Sequence, residues 1–392
     1  DLHVRSRRQR QMCIRDSQIY ALLLTLSSIG VPNAISKLVA ERTAKGDHKG
    51  AIRIFKVALA TFALIGLAGT LLLFLGADFI ATHLLNIPEA KYTLVTLSPA
   101  VFFVTVAAVL RGYCNGKQAM RVTARSQTLE QVFKTVLVII IVEIVYKMTN
   151  GNTVWMAAAA NVATTLSIFM SFMYLVRFYR MTRNERRNEL KETVNYKYQN
   201  VKTIVKKILS VSIPMSLSSI MSSFNKNIDS FTVVSGLKKF MTERDAKAQY
   251  GILGGKVDTL TSLPLSINIA FATALVPTIS RAIASGDKET TTKRVSFSLM
   301  ASMLIGLPCT IGMMVFADPI LHLLYPAQPE GALLLQISSL TIIFTILDQT
   351  INGTLQGIGK VMIPAISLGC GMLAKLVTVS YTHLTLPTTP YV

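Results

Sequence analysis

Residues 30–47 read GVPNAISKLVAERTAKGD, and residues 275–287 read LVPTISRAIASGD. Val-Pro, Ile-Ser, a basic residue and Gly-Asp follow in the same order in both, at offsets of 240 to 245 residues. Working outward, Ala77-Asp78-Phe79-Ile80 with Leu84-Leu85 returns as Ala317-Asp318-Pro319-Ile320 with Leu323-Leu324. Leu110-Arg111-Gly112 with Gly116-Lys117 returns as Leu355-Gln356-Gly357 with Gly359-Lys360. A unit repeated once over most of the chain implies two lobes of like construction.

The composition says what solvent surrounds them. Hydrophobic residues make up 51% of the 392, charged residues only 15%, and the mean hydropathy is +0.48. Such a chain cannot cover a water-exposed surface, so an all-helical polytopic membrane protein is expected. The net charge of +20 would suggest a nucleic-acid partner in a soluble chain, but here Lys and Arg punctuate apolar runs instead of forming one patch. No nucleic acid is expected. Apolar stretches near 18–36, 57–77, 92–110, 127–146, 154–176, 207–235, 250–280, 295–317, 331–353 and 361–377 are each suited to crossing a bilayer core. Five of them, Val57 to Ala77, Tyr92 to Leu110, Val154 to Val176, Thr259 to Ser280 and Val295 to Ala317, contain no Asp, Glu, Lys or Arg.

Orientation follows from the loops. Roughly two dozen Lys and Arg fall in alternate loops on one side and about six on the other, and basic loops stay cytoplasmic. Because the repeat keeps this orientation, the two lobes should be related by an axis along the membrane normal, with the ligand path between them. The expected division is an N-terminal transmembrane lobe over 18–177, a basic cytoplasmic linker over 178–206 and a C-terminal lobe over 207–377. The connection from Arg177 to Lys207 holds ten basic residues against Glu185, Glu189 and Glu192. A solvated segment obeying the orientation rule is one reading of it, and a docking site for anionic lipid headgroups is another. Residues 1–17, which include RQRQMCIRDS, and residues 378–392 resemble translated adapter read-through and are set apart from the fold. A first helix is expected to be missing before Gln18, and the last span to be cut short.

Several chemistries have no sequence signature. No phosphate-cradling G-x-x-x-x-G-K-[ST] and no H-E-x-x-H is present, and the four cysteines form no C-x-x-C pair. No cofactor or metal centre and no enzymatic activity are expected. The informative groups are polar residues inside apolar spans, which are costly and mark pathways or ion sites. Asn225, Asp229 and Thr232 share a helical face, with Lys226 and Asn227 beside them. Lys256 and Asp258 open the following span. Counted from the intervening outer loop, Asp229 and Lys256 share one depth and Lys226 and Asp258 another, so two opposite-charge pairs can form; structural salt bridges are the plain alternative. Pro32 with Lys37 and Pro277 with Arg281 match across the repeat and are candidate gate positions at the cytoplasmic mouth. Glu130 and Lys134, at i, i+4, are expected to pair. Glu143, Asp348 and Asn352 could line the path, but interfacial or capping positions suit them better. The G-x-x-x-G spacings at Gly112/Gly116, Gly251/Gly255 and Gly353/Gly357 permit close helix approach, and Trp155 fits an interfacial anchor.

The segments GVPNAISKLVAE (30–41), LRGYCNGK (110–117), SIPMSLSSI (212–220), SLPLSINIAFATALVPTISRAIASGD (262–287) and LQGIGK (355–360) together resemble the polysaccharide-biosynthesis and stage V sporulation protein B-like branch of the multidrug/oligosaccharidyl-lipid/polysaccharide exporter superfamily. More distantly, the chain is similar to MurJ-type lipid II flippases. The resemblance implies two helical lobes, a cationic cavity and translocation of undecaprenyl-diphosphate-linked sugars. It also puts Asp229 where such flippases place a cation-binding Asp. Their Asp-Arg before Leu-x-x-x-Pro appears here as Asp258-Thr259, with the positive charge at Lys256.

The reading that results is a monomeric secondary transporter of the bacterial cytoplasmic membrane. It would flip a lipid-linked peptidoglycan or polysaccharide precursor by alternating access, among membrane lipids. Lys226 and Lys256, with Asn225 and Asn227, would hold the headgroup. Asp229, Asp258 and Thr232 would hold a coupling Na+ or H+. A cation-coupled multidrug exporter and a non-transporting scaffold for envelope or spore assembly are the alternatives.

Overall fold

The computed structural model describes residues 30–84, 88, 90–149, 152–191, 198–237, 242, 250–326 and 329–385, with the backbone course alone for 84, 90, 153, 219–220, 222–237, 376 and 379–385. Every regular element among them is a helix. The chain separates into two compact units, Asp1–Ser219 and Ile220–Val392.

The first unit contains α1 (Gly30–Ala44), α2 (His48–Phe79, running on through a π-helical turn at Ile80–Leu84), α3 (Ala90–Gly116), α4 (Met120–Thr149), α5 (Thr153–Met181) and the short α6 (Arg183–Lys191). Helix α7 (Val201–Leu237) crosses the division. The second unit holds a π-helical turn at Ile252–Val257 leading into α8 (Asp258–Ala284), then α9 (Lys288–Val315), α10 (Ala317–Leu324), α11 (Ala332–Ile358) and α12 (Met362–Thr385).

Six helices, His48–His83, Lys91–Gly116, Val154–Met181, Ile252–Ala284, Lys288–Val315 and Ala332–Ile358, are long and apolar enough to cross a membrane. Of the other four expected spans, those at 127–146, 207–235 and 361–377 fall on α4, α7 and α12, and the described end of the one at 18–36 falls on α1. In α4 the apolar course is broken by Glu130, Lys134, Glu143 and Lys147. Large apolar side chains point outward all along the spanning helices, including Leu72, Leu75, Ile139, Leu304 and Phe344, each at least 65% exposed within the chain. In water such a surface would aggregate; in a bilayer it is the lipid face. Tyr92 and Trp155 lie side by side at the starts of α3 and α5, ring centroids 5.2 Å apart, as an interfacial anchor.

The repeated Gly-Asp dipeptide performs one local task twice. Gly46 has φ 70° and Gly286 φ 78°, a left-handed conformation that glycine adopts without a Cβ penalty and that ends a helix. The next amide reaches back five residues in both turns: Asp47 N donates to Arg42 O at 3.0 Å and Asp287 N to Ala282 O at 3.0 Å. Each Asp then caps the following helix. Asp47 Oδ1 accepts from Gly50 N at 2.7 Å and Asp287 Oδ1 from Thr290 N at 2.8 Å. The hydrogen bonds from Thr290 hold the Asp287 carboxyl below its ordinary value.

The second repeated device is a close helix contact. A Cβ on Gly112 would stand 2.8 Å from Pro32 O and 3.0 Å from Ile35 Cβ, so α3 meets α1 backbone to backbone. In the second unit a Cβ on Gly353 would stand 2.4 Å from Ala272 O, and one on Gly357 2.9 Å from Ile279 Cβ, so α11 meets α8 likewise. The third spacing does not behave this way. Gly251 and Gly255 have nothing within 4 Å of a built Cβ, because they lie in the exposed turn that opens α8.

Candidate functional site

In the first unit the polar residues gather where α3, α4 and α5 meet. Arg111, on the same helix as Gly112, donates to Ser126 Oγ at 3.1 Å, to Glu130 Oε2 at 2.5 Å and to Ser171 Oγ at 2.9 Å. Both charged side chains are mostly covered, at 15% and 20% exposure. The expected Glu130–Lys134 pair is therefore replaced by Glu130–Arg111. A planar guanidinium can satisfy three acceptors on two neighbouring helices at once, which a flexible ammonium one turn away cannot. Nearby, Lys117 Nζ pairs with Glu189 of α6 at 2.5 Å, and the Arg186 guanidinium lies 3.6 Å from the Tyr179 ring centroid. These contacts fasten α6 to the first unit.

Lys37 is buried on α1 and lies 3.8 Å from Glu41. Pro32, five residues earlier, presents its carbonyl to Gly112. Pro277 is buried in α8, and Arg281 follows it one turn later. The matched gate candidates thus sit on the matched helices α1 and α8, each packed on a glycine face of its own unit.

Of the second-unit candidates, the side chains of Asn225, Lys226, Asn227, Asp229 and Thr232 lie outside the described residues, and so do the two charge pairs expected with Lys256 and Asp258. Lys256 lies in the π-helical turn, six residues after Tyr250. Its ammonium is 5.4 Å from the Tyr325 ring centroid, within cation–π range. Asp258 is exposed. Thr261, three residues on, gives its hydroxyl to Val257 O.

One buried cluster is not among the sequence candidates. Asn268 is fully buried and ties α8 to α11 and α9: its Nδ2 donates to Ile346 O and Gln349 Oε1, both at 3.0 Å, while Oδ1 accepts from Ser302 Oγ at 2.8 Å. Ser302 and Thr350 hydroxyls complete the cluster at 2.7 Å. All of these groups answer one another, as a buried junction requires. Asp348 is different. It lies sixteen residues into α11 and ten from its end, about 24 and 15 Å along the axis, on the face that the second unit does not use for packing. Asn352 Nδ2 donates to its Oδ2 at 2.9 Å. This rules out the capping position, because Asp348 stands in the middle of the helix, far from both of its ends. Glu143 is exposed and paired with Lys147 at 3.3 Å near the end of α4. Among the described residues no group of three or more His, Cys, Asp or Glu could hold a metal ion.

Comparison with known proteins identifies this architecture. The family described as Polysaccharide biosynthesis protein matches residues 17–283, and the MatE family matches residues 255–381. Stage V sporulation protein B of Bacillus subtilis (strain 168) is 30% identical over 311 residues, covering 78% of this chain and 58% of that protein. Lipid II flippase MurJ of the same organism is 25% identical over 379 residues, 91% of this chain and 68% of the relative. The chain thus spans between about three fifths and two thirds of the length of these relatives. Among solved structures, a MATE in complex with MaD3S aligns with a TM-score of 0.79 at 18% identity, over 94% of this chain and 79% of that one. An outward-facing multidrug resistance MATE transporter of the MOP superfamily aligns at 0.75 and 19% identity, over 95% and 79%. With its repeated helical units, outward apolar faces and a family match over most of its length, the chain belongs to the polysaccharide biosynthesis protein family, as a multi-pass integral membrane protein with the MATE fold.

Proposed function

We propose that this chain translocates a lipid-linked diphosphate sugar, a peptidoglycan or polysaccharide precursor, across the membrane by alternating access. The observation that carries the reading is similarity over 91% of the chain to a protein named as a lipid II flippase. The repeated unit construction supports it, because rocking of two like units is how parallel-repeat transporters move a ligand. Lys256, held near the Tyr325 ring at one end of a spanning segment, supplies a positive charge for a diphosphate, with Lys226 as the second candidate, in the preceding span. Asp229 is the coupling-ion candidate for Na+ or H+. Asp348, deep in α11 with Asn352, joins it as a path-lining carboxylate.

A cation-coupled multidrug exporter is the second reading, favoured by the MatE match at 255–381 and by the multidrug MATE structures. The two differ in the charge of their ligand. Native mass spectrometry of the purified chain with undecaprenyl diphosphate in one arm and a cationic dye in the other separates them. Retention of the diphosphate lipid supports the flippase reading; retention of the dye alone replaces it with the exporter.

A further inference from the structure

The basic segment between α5 and α7 is not used by the transport reading, yet its charges are arranged. Helix α5 continues past the uncharged stretch ending at Val176 to Met181, and α6 begins two residues later at Arg183. Six residues separate Arg177 from Arg183, at most about 9 Å along a helix axis, comparable to a Debye length of about 8 Å at physiological salt. Helix α6 therefore starts at the level of the lipid headgroups.

One side of α6 is committed to the protein. Glu189 pairs with Lys117 and Arg186 stacks on Tyr179. At about 100° per residue, Arg183, Arg187 and Lys191 form a stripe about 80° wide, centred about 130° from that packed side. All three are exposed. The remaining described acid of the helix, Glu185, projects about 160° from the centre of the stripe, so the outward face carries three positive charges with Asn184 and Asn188. Arg177, Arg180 and Met181 extend the surface toward the membrane. The two Arg are exposed and Met181 is 72% exposed, which pairs charges with an apolar side chain at the height where both are favourable. Of the described acids of the helix, Glu189 is held by Lys117 and Glu185 is exposed on the side away from the stripe, so neither neutralises the three bases.

We infer that the outward face of α6, with the end of α5, is a docking surface for anionic phospholipid headgroups of the leaflet in which it lies. Charge complementarity selects the occupant, because the charged groups of the face are all positive and it lies beside the bilayer that supplies phosphate. Docking would hold the unit-one end of the connection while the rest of the chain moves.

The test uses the full chain in micelles of phosphatidylcholine mixed with phosphatidylglycerol, with lipids retained on release counted by native mass spectrometry. The wild type is expected to prefer phosphatidylglycerol, and the triple variant Arg183→Gln/Arg187→Gln/Lys191→Gln to lose that preference by up to about fivefold per charge removed. The control Lys288→Gln/Lys293→Gln, which removes exposed charges at the start of α9, should keep it. The melting temperature of the triple variant in phosphatidylcholine alone should equal that of wild type, since these side chains are exposed; a matching loss there would assign the stripe to folding and overturn the inference. Undiminished preference in the triple variant, or equal loss in the control, would likewise overturn it.

Discussion

Replacing Arg111 by Met tests how the first unit is held together. The substitution removes three hydrogen bonds and leaves Glu130, 20% exposed, beside two serine hydroxyls with no cation. Breaking one partner of a fully buried pair costs about 3–5 kcal/mol, and the residual exposure of both groups lowers that to about 2–3 kcal/mol. For a chain of this size about 2 °C of melting temperature accompanies each kcal/mol, so the apparent transition in detergent should fall by about 5 °C. Glu130→Met should restore most of it in the double variant, because the stranded charge is gone and a methionine fills the space. Lys134→Met alone should leave the transition near wild type. Intrinsic fluorescence during a thermal ramp, run on the four variants, reads all of this. An unchanged Arg111→Met, or a double variant as unstable as the two single losses added, would refute the assignment of Arg111 as the partner of Glu130; a large effect of Lys134→Met would restore the i, i+4 pair.

Further outcomes follow from the repeated devices. Gly357→Leu should destabilise by at least about 1–3 kcal/mol through overpacking against α8, whereas Gly255→Ala, which meets nothing within 4 Å, should stabilise by about 0.5–1 kcal/mol through helix propensity; thermal shift distinguishes them. Asp47→Ala removes a cap and also the 2.9 Å partner of Arg42, so it should cost more, about 2 kcal/mol, than loss of a cap alone. The Asp287 carboxyl titrates below its ordinary value because Thr290 donates to it, so its capping contribution is complete above the unfolded value near 3.9 and fades as pH falls through the folded one. Asp287→Asn should remove that acid-side dependence, read as melting temperature against pH. Single cysteines at Lys45 and Ser285, in a background without native cysteine, should react with an impermeant maleimide from one and the same membrane face; labelling from opposite faces would sink the parallel repeat.

What the sequence made legible was local or repeated. Spanning helices announce themselves through runs such as Val57 to Ala77, and the Gly-Asp turns at 46–47 and 286–287 carry their conformation in two residues. Long-range pairing was less accessible. Glu130 has a basic residue at i+4, so the helix rule selects Lys134, while Arg111 wins by reaching across from α3 with geometry that no spacing records. The glycine spacings illustrate the same limit: Gly353/Gly357 and Gly251/Gly255 read alike, and only the first pair has another helix against it. The mid-helix position of Asp348 was not legible because its distance from both ends of α11 depends on where the helix starts and stops. Lys256 and Asp258 were readable as charges inside an apolar run, but the Tyr325 ring beside Lys256 comes from a segment sixty-nine residues away.

Translocation itself is the decisive measurement. With the chain reconstituted in liposomes, a fluorescent undecaprenyl-diphosphate sugar placed in the inner leaflet should reach a membrane-impermeant quencher outside. The account predicts that wild type and Lys293→Ala move it at equal rates and that Lys256→Ala slows it at least severalfold with the fold intact. Passage no faster than in empty liposomes, or an undiminished rate in Lys256→Ala, would contradict the assignment of this chain as a diphosphate-lipid flippase working through that charge.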